Sequence, residues 1–280
     1  MKKLLLVAAL GFGPWGFAAI GSAQAADMAL PVKAPPPPPW TWTGFYIGGN
    51  GGYSWGNWDS TSLTAIFPGP GGTLVNSASP NVQGAIAGGQ IGYNWQFSPQ
   101  WLAGVEADGQ WSGERASDNA SSSISVAGPF TGACDVAGGC TTTATVNDAN
   151  SWKLPWFATL RGRVGLIEES TWLFYATGGL AVGGTQFAQS SIGTVTVTKT
   201  LSGTVVSTTT VPISALSGTT TVVGFAVGAG IEKMLTQNWS LKVEYLFMDF
   251  GSYTFLSGTG FDTNVKVIDN VIRGGVNYKF

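Results

Sequence analysis

Eight charged side chains stand where they could do chemistry together: Glu106 and Asp108, Arg161 and Arg163, Glu232, Lys242, Glu244 and Arg273. A pair of carboxylates such as Glu106 and Asp108 could be the acid and base of glycoside hydrolysis. Residues i and i+2 of a strand share one face, however, and bases recur at matching positions, so each acid has a basic partner within reach. The chain contains no histidine, which removes Ser-His and Cys-His dyads and the usual zinc sites. Its glycine clusters, GGNGGYSWG and GAG, are followed by no Gly-Lys-Ser/Thr and open no helix, so they are not phosphate loops. Their simpler role is to relieve crowding and let large neighbours pack. Mutual pairing is the expectation for the eight charges, with no enzyme activity, metal or cofactor.

The elements that must position these charges have a period of two. Glu106 and Asp108 lie opposite Ala103, Val105, Ala107 and Trp111 on a strand that begins at Trp101. Arg161 and Arg163 oppose a face read as Trp152, Leu154, Trp156, Leu160, Val164 and Leu166. Glu232 opposes Val223, Phe225, Val227 and Ile231, while Lys242 and Glu244 oppose Trp239, Leu241, Val243, Tyr245 and Phe247. Arg273 opposes Ile272, Val276 and Tyr278 in the last segment. Three further strands complete the count. One carries Phe45, Ile47, Tyr53 and Trp55; another Ala85, Ala87, Ile91, Tyr93, Trp95 and Phe97; the third sets Trp172, Phe174, Leu180 and Val182 against Tyr175 and Thr177.

The rest of the chain decides which face meets which solvent. Residues 1–25 read as a secretory signal: Lys2 and Lys3, an apolar run from Leu4 to Ile20, and Ala23-Gln24-Ala25. Residues 26–42, with their run of prolines, read as an extended periplasmic leader. Without the signal the chain keeps 11 basic and 15 acidic residues, a balance that argues against nucleic acid as a partner. Cys134 and Cys140 frame CDVAGGC, and in an exported chain a local disulfide is expected. Only 10% of residues are charged, well below the one quarter or so of soluble domains.

Long connections, at about 56–82, 114–151, 185–218 and 251–264, alternate with short turns near Ser98, Glu168 and Gln237. This is the layout of an all-β, eight-stranded antiparallel up-and-down transmembrane β-barrel over residues 43–280, with short periplasmic turns. A secreted sandwich or lipocalin-like barrel would show the same alternation with its faces exchanged. The shortage of charge and the tryptophans at strand ends favour the membrane version. Lipid offers no hydrogen bonds to an open sheet edge, so the last strand should pair with the first. Counted from strand ends, Glu106, Arg161 and Glu244 each lie five residues deep, with Asp108 and Arg273 about seven from the same rim. An eight-stranded barrel has an interior just wide enough for side chains, so these groups should form a salt-bridge network. The competing reading of the same polar face is a narrow porin-like path for ions or small solutes.

Several stretches give the chain a family likeness: WTGFYIGGNGGYSWG at 42–56, GVEADGQWSG at 104–113, LRGRVG at 160–165, LFYATGGLAVGG at 173–184, GAGIEKMLTQNWSLKVEYLFMDFG at 228–251, and the terminal RGGVNYKF. In this order the set resembles the small alphaproteobacterial outer-membrane β-barrel family of outer-membrane immunogenic or surface-antigen proteins. The resemblance implies an eight-stranded barrel in the cell outer membrane, contacting outer-membrane lipid and acting in envelope integrity and surface interaction. It also implies that Phe280 is the aromatic signal read by the barrel-assembly machinery. An external ligand or host surface is a possible further partner. Haem, described for some relatives, would have to use Tyr or Met ligands here. The Thr/Val-rich stretch TVTVTKTLSGTVVSTTTV departs from the simplest pattern and suggests a hairpin projecting from the membrane.

Overall fold

The computed structural model describes residues 40–65, 73–127, 140–199, 204–255 and 263–280. The signal segment, most of the proline-rich leader and Cys134 lie outside the described residues, as does the side chain of Cys140. Nine strands follow one another: β1 (Gly44–Ala65), β2 (Thr73–Ala78), β3 (Asn81–Gln96), β4 (Trp101–Ala127), β5 (Cys140–Glu168), β6 (Trp172–Lys199), β7 (Val205–Met234), β8 (Trp239–Phe255) and β9 (Thr263–Lys279). All neighbouring strands are antiparallel. Eight of the nine form a closed ring, since β1 pairs with β3 on one side and with β9 on the other. The closing seam runs from Tyr46 opposite Lys279 to Ser62 opposite Thr263. Beyond it the Phe280 amide donates to the Phe45 carbonyl at 3.0 Å, so the terminal residue is still tied to β1. β2 is a short return strand against the outer end of β1.

One end of the ring carries tight turns at 97–100, 169–171 and 235–238. Glu169 and Ser170 both adopt positive φ, as both central residues of a type I′ hairpin turn must. The opposite end differs from the sequence expectation. The connections expected at 56–82, 114–151 and 185–218 are largely strand among the described residues: β1 and β2 fill much of the first, β4 and β5 run to Ala127 and from Cys140, and β6 and β7 reach Lys199 and restart at Val205. Of the fourth, expected at 251–264, residues 251–255 and 263–264 are described and are strand. Polar Thr, Ser and Asn alternate well enough to pair once a neighbouring strand templates them, whereas hydropathy contrast marks only the part in lipid.

Outward faces carry the large apolar side chains. Leu180 and Phe45 are each 63% exposed and Trp111 is 79% exposed, alongside Ile47, Val105, Leu160, Phe225 and Val243. So much exposed apolar surface has no place on a soluble monomer; on a transmembrane barrel it meets acyl chains. Trp101 and Trp239 stand exposed at the turn end, where aromatic side chains favour the interface.

The face expected for β5 needs a correction. Trp156, Leu160, Val164 and Leu166 point outward, but Trp152 and Leu154 are buried in the lumen and Lys153 is exposed. The register with β6 slips between Lys153 and Trp156, and the register with β4 slips between Trp111 and Glu114, opposite Trp156 and Leu154. Pro155 sits in this gap, where its missing N–H is tolerated, and the slip inverts the parity of everything before it.

Candidate functional site: the barrel lumen

The lumen is stacked in three layers. At the turn end, Trp42, Leu102, Ile167, Leu173, Tyr175 and Met234 form an apolar floor. Trp42, assigned by sequence to the extended leader, belongs to the barrel: its amide donates to Gln96 Oε1 at 3.0 Å and its indole N–H to the Ser170 carbonyl at 3.2 Å. At the outer end a larger apolar layer contains Trp58, Val82, Trp152, Leu154, Phe187, Phe250, Phe255 and Val267. Trp152 lies between Phe187 and Trp58, with ring centroids 4.3 Å and 6.3 Å away.

Between the two lies the ionic layer, and it brings together all eight of the charges singled out from the sequence. Each is buried. Arg161 is the hub: Nη2 donates to Glu106 Oε1 at 2.7 Å and Asp108 Oδ2 at 2.8 Å, and Nη1 to Glu244 Oε1 at 3.0 Å. Arg273 bridges Asp108 Oδ1 at 3.0 Å and Glu244 Oε2 at 2.6 Å. Lys242 Nζ donates to Glu106 Oε1 at 2.9 Å, and Arg163 Nη1 to Glu232 Oε2 at 3.2 Å. Four acids face four bases, so the layer is neutral as a whole. Taking charges out of water costs several kcal/mol per ion, and only close pairing with satisfied lone pairs offsets that cost.

Neighbouring polar side chains, among them Tyr175, already read as facing away from the apolar side of its strand, add further hydrogen bonds, while Arg163 Nη2 keeps no hydrogen-bond partner among the described residues. Tyr46 donates to Glu106 at 2.8 Å, Tyr175 to Glu244 at 3.1 Å, and Thr159 to Asp108 at 2.6 Å. Glu232 accepts from Ser240 and from Asn277, the latter at 2.8 Å. The Arg163 guanidinium is held between the rings of Tyr46 and Tyr175, 5.0 Å and 5.1 Å from their centroids. These rings lie over glycines. A Cβ on Gly92 would come within 2.3 Å of the Tyr46 hydroxyl, and one on Gly230 within 2.5 Å of the Tyr175 hydroxyl. Parity could have found Tyr46, which alternates with outward Phe45 and Ile47, but not which glycine makes room for it.

A second acidic pair was missed. Glu114 and Asp269 are both buried beside the outer apolar layer, and among the described residues neither is in an ion pair. Ser54 donates to Asp269 Oδ2 at 2.9 Å and Ser112 to Glu114 Oε1 at 3.1 Å. No group of three or more potential metal ligands occurs among the described residues.

Comparison with known proteins agrees with this architecture. Residues 16–280 match the family model described as outer membrane protein beta-barrel domain. The chain is 30% identical over 263 residues to the 31 kDa outer-membrane immunogenic protein of Brucella melitensis, covering 92% of this chain and 94% of that one. It is 29% identical over 255 residues to the 22 kDa outer membrane protein of Rhizobium leguminosarum bv. viciae, covering 89% and 82%. Among solved structures, the outer membrane protein OprG from Pseudomonas aeruginosa is 14% identical with a TM-score of 0.36, covering 85% and 97%. A closed antiparallel ring with an apolar outside, matched along nearly its whole length by this family model, belongs to the outer membrane protein beta-barrel family and resides in the outer membrane.

Proposed function

We infer that this protein is a non-enzymatic, sealed barrel that contributes to envelope integrity and presents its outer strand extensions for contact with the surroundings. The observation that carries this reading is the stacking of the lumen: a neutral, buried ionic layer between two apolar layers. An ion entering such a path would have to displace close salt bridges and then cross packed Trp and Phe side chains without hydration. The surface role is supported by the length of β4 to β7, which continue well past the lipid-facing belt as Ser/Thr-rich strands. It also fits a relative whose name describes it as immunogenic.

In planar bilayers the refolded protein is expected to give no steady conductance, and proteoliposomes carrying it are expected not to swell in small-solute gradients. Large, stable single-channel steps would replace the sealed reading with a porin-like one.

A further inference from the structure

Just beyond the lipid-facing belt, one patch of the outer wall carries a pair of neighbouring cations. Arg115 on β4 and Lys153 on β5 are cross-strand register partners, and both are exposed. Like charges directly opposite one another on antiparallel strands are destabilising. The other pair of outward charges in cross-strand register among the described residues, Asp59 on β1 and Lys266 on β9, is complementary. No ion pair among the described residues involves Arg115 or Lys153; the salt bridges found there all lie inside the lumen.

The placement is built by the register slip at Pro155. Lys153 is an even number of residues from inward Arg161 and Arg163, so an uninterrupted strand would point it into the lumen. The slip turns it outward beside Arg115.

Two neighbouring features restrict what could bind. Beneath the cations, on the membrane side, Trp111 and Trp156 are also register partners and are 79% and 43% exposed. Around the cations lies a surface depression of about 580 Å³, whose border includes the amides of Asn81 and Gln83 and the hydroxyls of Ser117 and Ser151. Half-buried Asp118 is the one acid on that border. From membrane to solvent the order is thus aromatic pair, cation pair, then hydrogen-bonding rim. A matching ligand has acyl chains, then phosphate, then sugar hydroxyls.

We propose that Arg115 and Lys153, above Trp111 and Trp156, form a binding site for the headgroup of a phosphorylated glycolipid of the outer leaflet. Its phosphate lies between the two cations and its acyl chains run down over the two indoles. Cations at a membrane surface contribute on the order of 1 kcal/mol each toward an anionic headgroup, so removing both weakens binding by about thirtyfold.

The test uses the full mature barrel in detergent, titrated with bisphosphorylated lipid A, with the same lipid after phosphatase treatment, and with inorganic phosphate. The wild-type protein is expected to bind the phosphorylated lipid in preference to both other probes. The R115Q/K153Q variant is expected to lose about thirtyfold, while K266Q binds as wild type. All substituted positions are exposed, and heat-modifiable gel migration checks that each variant is folded. Equal binding of the phosphorylated and dephosphorylated lipids, or of wild type and R115Q/K153Q, would overturn the proposal. Binding of inorganic phosphate as tight as that of the lipid would also overturn it, by making the site one for a soluble anion.

Discussion

Two buried charged residues of this barrel, one base and one acid, should respond to neutralisation in opposite ways. Arg161 holds three carboxylates, those of Glu106, Asp108 and Glu244. Replacing it with methionine leaves those charges underpaired in a closed lumen, a loss of about 3–5 kcal/mol. Glu114 lacks any cation among the described residues, and its Oε1 accepts a single hydroxyl bond from Ser112. An amide of the same shape keeps that acceptor and removes the need to bury a carboxylate. Urea unfolding in lipid vesicles, followed by tryptophan fluorescence, should therefore show R161M strongly destabilised and E114Q as stable as wild type or more so. A destabilised E114Q would mean that its charge is paired in the native barrel.

Among the elements, strands serve two solvents along their length. β8 and β9 have 17 residues each, whereas β4 to β7 run from 27 to 30. The extra length of β6 and β7 pairs with itself and β5 beyond the apolar layers, so it adds little to the seal. Joining Ala188 directly to its register partner Ser217 through an Asn-Gly turn removes that projection while keeping Phe187 in the outer layer. The shortened protein should still migrate as a compact species without boiling. Loss of that form would show that the projection is needed for barrel assembly. Face alternation made most of each strand readable, from Phe45 and Ile47 on β1 to Ile272 and Val276 on β9. It failed at Trp152 and Leu154 because a register slip is a relation between strands, which no single strand's pattern records. It also failed to mark the outer apolar layer: in Tyr245-Leu246-Phe247-Met248 both faces are apolar, Leu246 and Met248 being buried while Tyr245 is exposed.

For the whole molecule, closure is the condition on which everything else depends. β1 and β9 meet along a seam of backbone hydrogen bonds, and in hydrocarbon an unpaired group on either costs several kcal/mol. Val276 lies on β9 between Gly49 of β1 and Leu241 of β8, with its side chain toward lipid. Val276→Pro removes a ladder hydrogen bond there without altering the lumen charges. The wild-type protein is expected to run faster on a gel before boiling than after, and V276P to lose most of the fast form. If V276P kept it fully, the seam would not be what holds the ring together.

The sequence by itself determined the alternation, the side on which the charged residues fall, and the shortage of charge that marks an outside made for lipid. Those are local properties, set by side-chain chemistry two residues at a time. Only the tertiary structure decided which charges meet. Arg161 and Glu106 are 55 residues apart in the chain, Lys242 and Glu106 136, and Arg273 and Asp108 165. Such contacts depend on the stagger between strands and on where glycines let a ring lie flat, and both are set only when the last strand closes on the first.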